Sequence, residues 1–317
     1  MTTICTCPDF AAAADLDQLH AMLEKIGVKN GWNKPTPSLY PEPKQRFVPA
    51  HWRFSATREA LHAAGRLVGT EWAERRNLIL ANPIPGNDYA TVTTLVAAYQ
   101  MVKAGETARS HRHTPNAMRV VVEAAPETYT LVDGVNVPMA SGDVLLTPRW
   151  AYHGHDNRSA EDAYWIDILD APLVQLLGPM FFEHHPEPFV RAERTEAATP
   201  LRFAYQDYLT KLLASDETAP GVRRLHLGPP EIDTFDRQAV HLGSRATWPC
   251  ERSTANRIFV VVAGEGQSTV GDRTFGWQAG DVIACPSWLA HTHRAKADAV
   301  LICMSDAPVM RAFNWLR

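Results

Sequence analysis

Cysteine is scarce, with five among 317 residues. That is too few and too scattered for a disulfide framework, and it fits a reducing cytoplasm. Cys5 and Cys7 stand two apart near the N-terminus, where they could bind a metal or stay reduced and solvated. No run of about 18 uncharged apolar residues occurs, so no membrane-spanning helix is expected. The opening MTTICTCPDFAAAADLDQL has no basic segment followed by an apolar core, so no signal peptide is expected either. Excess positive charge is also missing. A formal net charge of −4 supplies no broad field for nucleic acid or anionic lipid. Attraction for an anionic ligand must therefore be local. What is present, 45% hydrophobic and 21% charged residues, suits a globular protein with room for two domains.

A segment of the chain occurs twice. GDVLLTPRWAYHGH begins at Gly142 and GDVIACPSWLAHTH begins at Gly280. Aligned without gaps, they share Gly, Asp, Val, Pro, Trp and both histidines. A hairpin-like stretch precedes each, and a strand ending in Asp-Ala-Pro follows each, at Asp170 and Asp306. VVVEA, YTLVDG, DVLLTP and AYWIDIL are short β-rich runs broken by Gly, Pro, Asn and Asp, the pattern of a sandwich or barrel. DLDQLHAMLEKIG, REALHAAGRLVG and LRFAYQDYLTKLLAS instead carry apolar residues at helical spacing. These patterns predict an all-β core used twice: a helical arm over 1–78, a first barrel over 79–175, a partly helical connector over 176–225 and a second barrel over 226–317. FFEHHPEPFVRAERTEAATP reads as linker.

His111 and His113 are two apart in a predicted strand, so both imidazoles point to one face. His153, at the end of the repeated segment, can close a set of three nitrogens. Imidazole suits iron, zinc, copper or nickel. Three histidines on an octahedral ion leave three positions, enough for two substrate oxygens and one dioxygen. Arg119 follows His113 by six residues, so an unbroken strand aims it inward, where a guanidinium can pair a carboxylate bidentately. Its alternative is a place on the solvent face. His155 shares the parity of His153 and can face the cavity as a hydrogen-bonding or proton-transfer group, serve as a fourth ligand, or lie in a surface loop.

Gly105, His111, His113, Gly142, Pro148, His153 and Asn157 resemble the two cupin motifs. The glutamate usual after the second histidine is replaced here by Ala117 and Met118. In that respect, and in the order AHWRF, ERRNLILANP, TLVAAYQ, HRHTPNAMR, TPRWAYHGHDN, WIDILDAP, the chain resembles the gentisate-type ring-cleaving dioxygenases, including salicylate and hydroxynaphthoate relatives. The resemblance spans nearly the whole chain. It implies two cupin (jelly-roll) barrels, iron(II) at His111, His113 and His153, and dioxygen insertion between the carboxyl-bearing and adjacent hydroxyl-bearing carbons of a hydroxybenzoate. It further implies Arg119 on the substrate carboxylate, His155 in proton management, Asp167 orienting a histidine, and Gln100 and Arg75 lining the pocket. Arg76, adjacent to Arg75, competes for that last role. A homo-oligomer, in the family a homotetramer, is also implied. Relatives often carry Trp or Tyr where this chain has Val96, which implies a roomier pocket and a ring-substituted or bicyclic substrate. The second repeat keeps His291 and His293 but has Cys250-Glu251-Arg252 in place of the first histidine pair, so no working iron is expected there. A metal cupin of another class, an isomerase or a small-molecule binder, is the competing reading, disfavoured by the missing glutamate and by Arg119.

Overall fold

The computed structural model describes residues 8–317 apart from 33, 70–72, 74, 230 and 231, so Cys5 and Cys7 lie outside the described residues. It divides into two units, Met1–Lys44 and Gln45–Arg317. In the first, helix α1 (Leu16–Lys25) starts where the Asp15 carboxylate accepts the Gln18 N–H at 2.8 Å. That side chain satisfies one of the donors left open at a helix start.

The second unit holds both barrels. In the first, one sheet contains Val96–Val102, Ala117–Glu123, Val144–Thr147 and Ala163–Leu169, and the other contains Thr107–His113, Thr128–Val132, Val135–Pro138 and His153–Asn157. All pairings among these strands are antiparallel. The second barrel repeats the pattern over 236–305. Val102, Val121, Leu145 and Trp165 pack inside the first barrel with Val137 and Met139. Ala97, Tyr99 and Met101, from the opposite face of their strand, join a core shared with Phe54, Ile258, Val260 and Ile302 of the neighbouring structure. Burial on both faces explains why Val96–Val102 reads as a continuous apolar run instead of an alternation.

The barrels interlock through the segments expected to be arm and connector. The strand Ala50–Trp52 pairs with Val282–Cys285 of the second barrel, and α2 (Phe54–Leu67) follows it. Helix α3 (Ala171–Leu177) closes the first barrel. The strand Arg202–Phe203 then pairs with Val144–Thr147 of the first barrel, and α4 (Tyr205–Ala214) follows. Each helix thus starts against the other barrel. Phe54 N–H donates to Asp281 and Tyr205 N–H donates to Asp143, both at 2.9 Å. Neither helix has a side-chain cap of its own, so the Gly-Asp of each repeat supplies it. The glycines make room for this contact. A Cβ on Gly142 would lie 2.7 Å from the Tyr205 ring, one on Gly280 would lie 2.8 Å from Phe54, and both have φ near +88°.

Residues 45–78, expected in the arm, therefore contribute strands to both barrels; Arg76–Ile79 pairs with Val96–Val102. The stretch read as linker is partly strand as well. Phe182–His184 adds to Thr107–His113, and Arg194–Thr195 adds in parallel to Val135–Pro138. Both cover sheet edges whose N–H and C=O groups need partners, a demand that composition does not reveal.

Candidate metal centre and pocket

His111 and His113 stand on Thr107–His113, and His153 begins the next strand of the same sheet directly opposite His111. The turn before His153 is held by a Trp150 N–H bond to the His113 carbonyl at 2.9 Å. Trp150 adopts φ 64°, unusual for a bulky side chain, and Trp288 adopts φ 65° at the equivalent point of the second repeat. The ligand atoms of the three histidines lie within 4.8 Å of one another. Ring centroids are 4.4 Å apart for His111–His153 and 4.8 Å for His113–His153.

Each Nδ1 faces a backbone carbonyl: Arg109 for His111, Pro115 for His113 at 2.7 Å, Ala151 for His153 at 3.0 Å. A carbonyl only accepts, so each Nδ1 carries the proton and each Nε2 presents a lone pair. Burial lowers all three pKa values, His111 to about 3, with the positive charge of Arg75 adding in every case. Neutral, tautomer-fixed imidazoles converging from two strands fit a divalent metal. Among the described residues no carboxylate belongs to the cluster.

Behind the cluster runs a chain of polar side chains. Arg75 Nε donates to Gln100 Oε1, and Gln100 Nε2 donates to Asp167 Oδ2 at 2.7 Å. Arg119 Nε donates to Asp167 Oδ1 at 2.8 Å, and its Nη2 donates to Oδ2 at 3.1 Å. Arg119 Nη1 donates to Thr130 Oγ1, and the guanidinium lies 5.1 Å from the Trp165 ring centre. Arg119 is therefore inside, not on the solvent face. Three of its five N–H groups are engaged, leaving one on each terminal nitrogen. Asp167 holds Arg119 and Gln100; no bond joins it to a histidine among the described residues. His155 Nδ1 meets Thr130 Oγ1 at 3.1 Å, while its Nε2 is buried without a partner among the described residues. His155 is neither a surface residue nor one of the clustered ligands.

Arg76 turns elsewhere, to Glu106 and the Val68 carbonyl, while Arg75 bonds Gln100. Val96 shares the strand face of Gln100 and is buried. Three contributors were not singled out from sequence. Thr130 joins Arg119 to His155, Trp165 lies beside both (4.7 Å from the His155 ring), and Phe182 stacks on His111 at 4.9 Å. Thr130 and Trp165 share strand parity with inward residues and could have been found that way. Phe182 sits in the apparent linker and gave no signal.

A two-barrel protein with a three-histidine centre in one barrel is the class these features define. The cupin domain model matches residues 98–169 and again 239–305. A 5-aminosalicylate 1,2-dioxygenase from Comamonas sp is 30% identical, with 96% of this chain and 90% of that protein covered. A gentisate 1,2-dioxygenase from Ralstonia sp is 44% identical over 85% of this chain and 84% of its own. The crystal structure of salicylate 1,2-dioxygenase from Pseudoaminobacter salicylatoxidans with gentisate superposes with a TM-score of 0.89 at 27% identity, covering 96% of this chain and 94% of that one. The chain belongs to the gentisate 1,2-dioxygenase-like bicupin family of ring-cleaving oxidoreductases. No helix among the described residues is long and apolar enough to cross a membrane.

Proposed function

We propose that the chain is an iron(II) enzyme that cleaves a hydroxybenzoate, gentisate or a ring-substituted salicylate, between the carboxyl-bearing and adjacent hydroxyl-bearing carbons. His111, His113 and His153 hold the metal. Bound there, iron(II) supplies Lewis-acid and one-electron chemistry between an electron-rich phenolate and dioxygen. The observation that carries the reading is the meeting of a three-histidine face with two arginines tied into one hydrogen-bonded chain. Arg119 offers its two remaining N–H groups to the substrate carboxylate, and Asp167 fixes the plane of the guanidinium. Arg75, whose charge bears on all four histidines of the pocket, adds to the attraction, and Gln100 positions it. The orphaned His155 Nε2 meets an oxygen of the bound ligand. Val96 bounds the ring. The reading extends to a cytoplasmic homo-oligomer, a homotetramer by family resemblance, supported by the apolar side chains exposed around Leu176 and Phe181.

Oxygen uptake by anaerobically iron-loaded protein, given a panel of hydroxybenzoates, tests this. Uptake is expected with wild type. His153→Ala is expected to lose iron and uptake together, and retention of stoichiometric iron with full turnover would remove His153 from the site.

A further inference from the structure

The second barrel gathers a different set of ligands. Cys250 pairs with His291 across the strands in the register that pairs His111 with His153 in the first barrel. The Cys250, His291 and His293 ligand atoms lie within 4.8 Å of one another. Arg252 falls where His113 would, and His293, the counterpart of His155, supplies the third donor in its place.

Both imidazoles are set up as ligands. His291 Nδ1 donates to the Leu289 carbonyl at 3.3 Å, as His153 does to Ala151, so its Nε2 bears a lone pair. His293 Nδ1 meets Ser268 Oγ at 2.7 Å, and that oxygen already accepts Trp277 Nε1–H at 2.8 Å with capacity for a second proton. Both Nε2 atoms are buried with no hydrogen-bond partner among the described residues. Two orphaned buried nitrogens in one place are costly unless something occupies the space between them.

We propose that Cys250, His291 and His293 form a second metal site, distinct from the three-histidine centre, which takes a thiophilic divalent ion, zinc. The thiolate selects zinc over iron(II), and three protein donors leave one position open. Binding releases the Cys250 thiol proton to solvent, and the two imidazoles bind neutral. A cleft of about 540 Å³, lined by Trp248, Cys250, Glu251, Arg257 and Asp236 among others, opens onto Cys250. Five arginines line this cleft against the two acids Glu251 and Asp236, so the thiolate, not the lining, supplies the negative charge that holds the cation. The ring-cleaving centre plays no part in this site, so neither reading stands or falls with the other.

The test uses the full chain with Cys5→Ser and Cys7→Ser, titrated metal-free with cobalt(II). Of the two equivalents the chain can bind, one should develop the near-ultraviolet thiolate-to-cobalt absorption, displaced by zinc. Cys250→Ser should abolish that band, and His291→Ala should weaken cobalt binding at least tenfold. His153→Ala should leave the band intact, which separates the two sites. Metal analysis after zinc loading should find two equivalents in the parent chain and one in either His153→Ala or Cys250→Ser. Absence of the band from the parent chain, or its survival in Cys250→Ser, overturns the proposal.

Discussion

Arg119 illustrates how much a side chain's partners change what its removal means. Read from strand parity alone, it is a substrate clamp whose loss costs binding. In the fold it is also the buried counterion of Asp167, with both side chains almost fully enclosed. Truncation to Ala would strand that carboxylate, a change that costs about 3–5 kcal/mol in buried pairs. Arg119→Lys is the cleaner probe, since it keeps the charge and gives up the bidentate fork. Iron should stay bound, and KM should rise 10- to 100-fold, the equivalent of about 1.5–3 kcal/mol for a charge-assisted bond. Unchanged kinetics would leave Arg119 a positioning group for Asp167 only. Val96 poses a selectivity question two strands away in the same sheet. An aromatic side chain there would hold a small ring by stacking, worth about 0.5–1.5 kcal/mol beyond the area it buries. Val96→Trp should therefore shift the ratio of kcat/KM values toward gentisate and away from a bulkier substituted salicylate. Val96 is buried opposite Leu169, so some overpacking is expected, about 1–3 kcal/mol in a tight core. A variant that melts cooperatively with an unaltered ratio would remove Val96 from the list of selectivity residues.

At the scale of elements, the repeat was legible wherever local pattern carries it. The three helical segments appear as α1, α2 and α4, and the β-rich runs appear as strands. The paired Gly-Asp motifs were visible too, but their task was not. Asp143 and Asp281 cap helices far away in sequence, and such a partner leaves no local trace. The same holds for Asp170 and Asp306. Asp170 accepts from Thr234 at the entry to the second barrel, and Asp306 accepts from Thr94 at the entry to the first. Each barrel's closing Asp-Ala-Pro thus grips the start of the other. Asp281→Ala removes the Phe54 N–H acceptor and the His51 Nε2 partner at 2.9 Å. Loss of a helix cap costs about 0.5–2 kcal/mol, so the unfolding free energy should fall by that amount, read as a lower urea midpoint with an unchanged slope. Iron affinity should not change, because the centre lies in the other barrel. A midpoint equal to wild type would show that α2 does not depend on the clasp.

For the whole molecule, the metal histidines were readable because both strand parity and repeat position pointed at them, while the surfaces flanking them were not. Leu176 and Leu177 at the end of α3 are 73% and 72% exposed, and Phe181 and Phe182 each 54%. Several large apolar side chains exposed over so short a stretch are unusual on a free monomer. Phe182 also stacks on His111, so this stretch runs up to the metal ligands. A second copy of the chain covering it would shield the edge of the site from water as well as bury the leucines. Light scattering should then give wild type a mass that is a multiple of 35.2 kDa. Leu176→Glu combined with Leu177→Glu places two carboxylates where the partner must desolvate them, and the mass should fall toward that of one chain. Neither leucine touches the histidines in the contacts described, so iron should still bind. Oxygen uptake should drop through loss of the covering copy and recover in part at high protein concentration. A wild-type chain that runs as a monomer at tens of micromolar, or a double variant that keeps the full assembly mass, would sink this account of the patch while leaving the centre behind Phe182 as described.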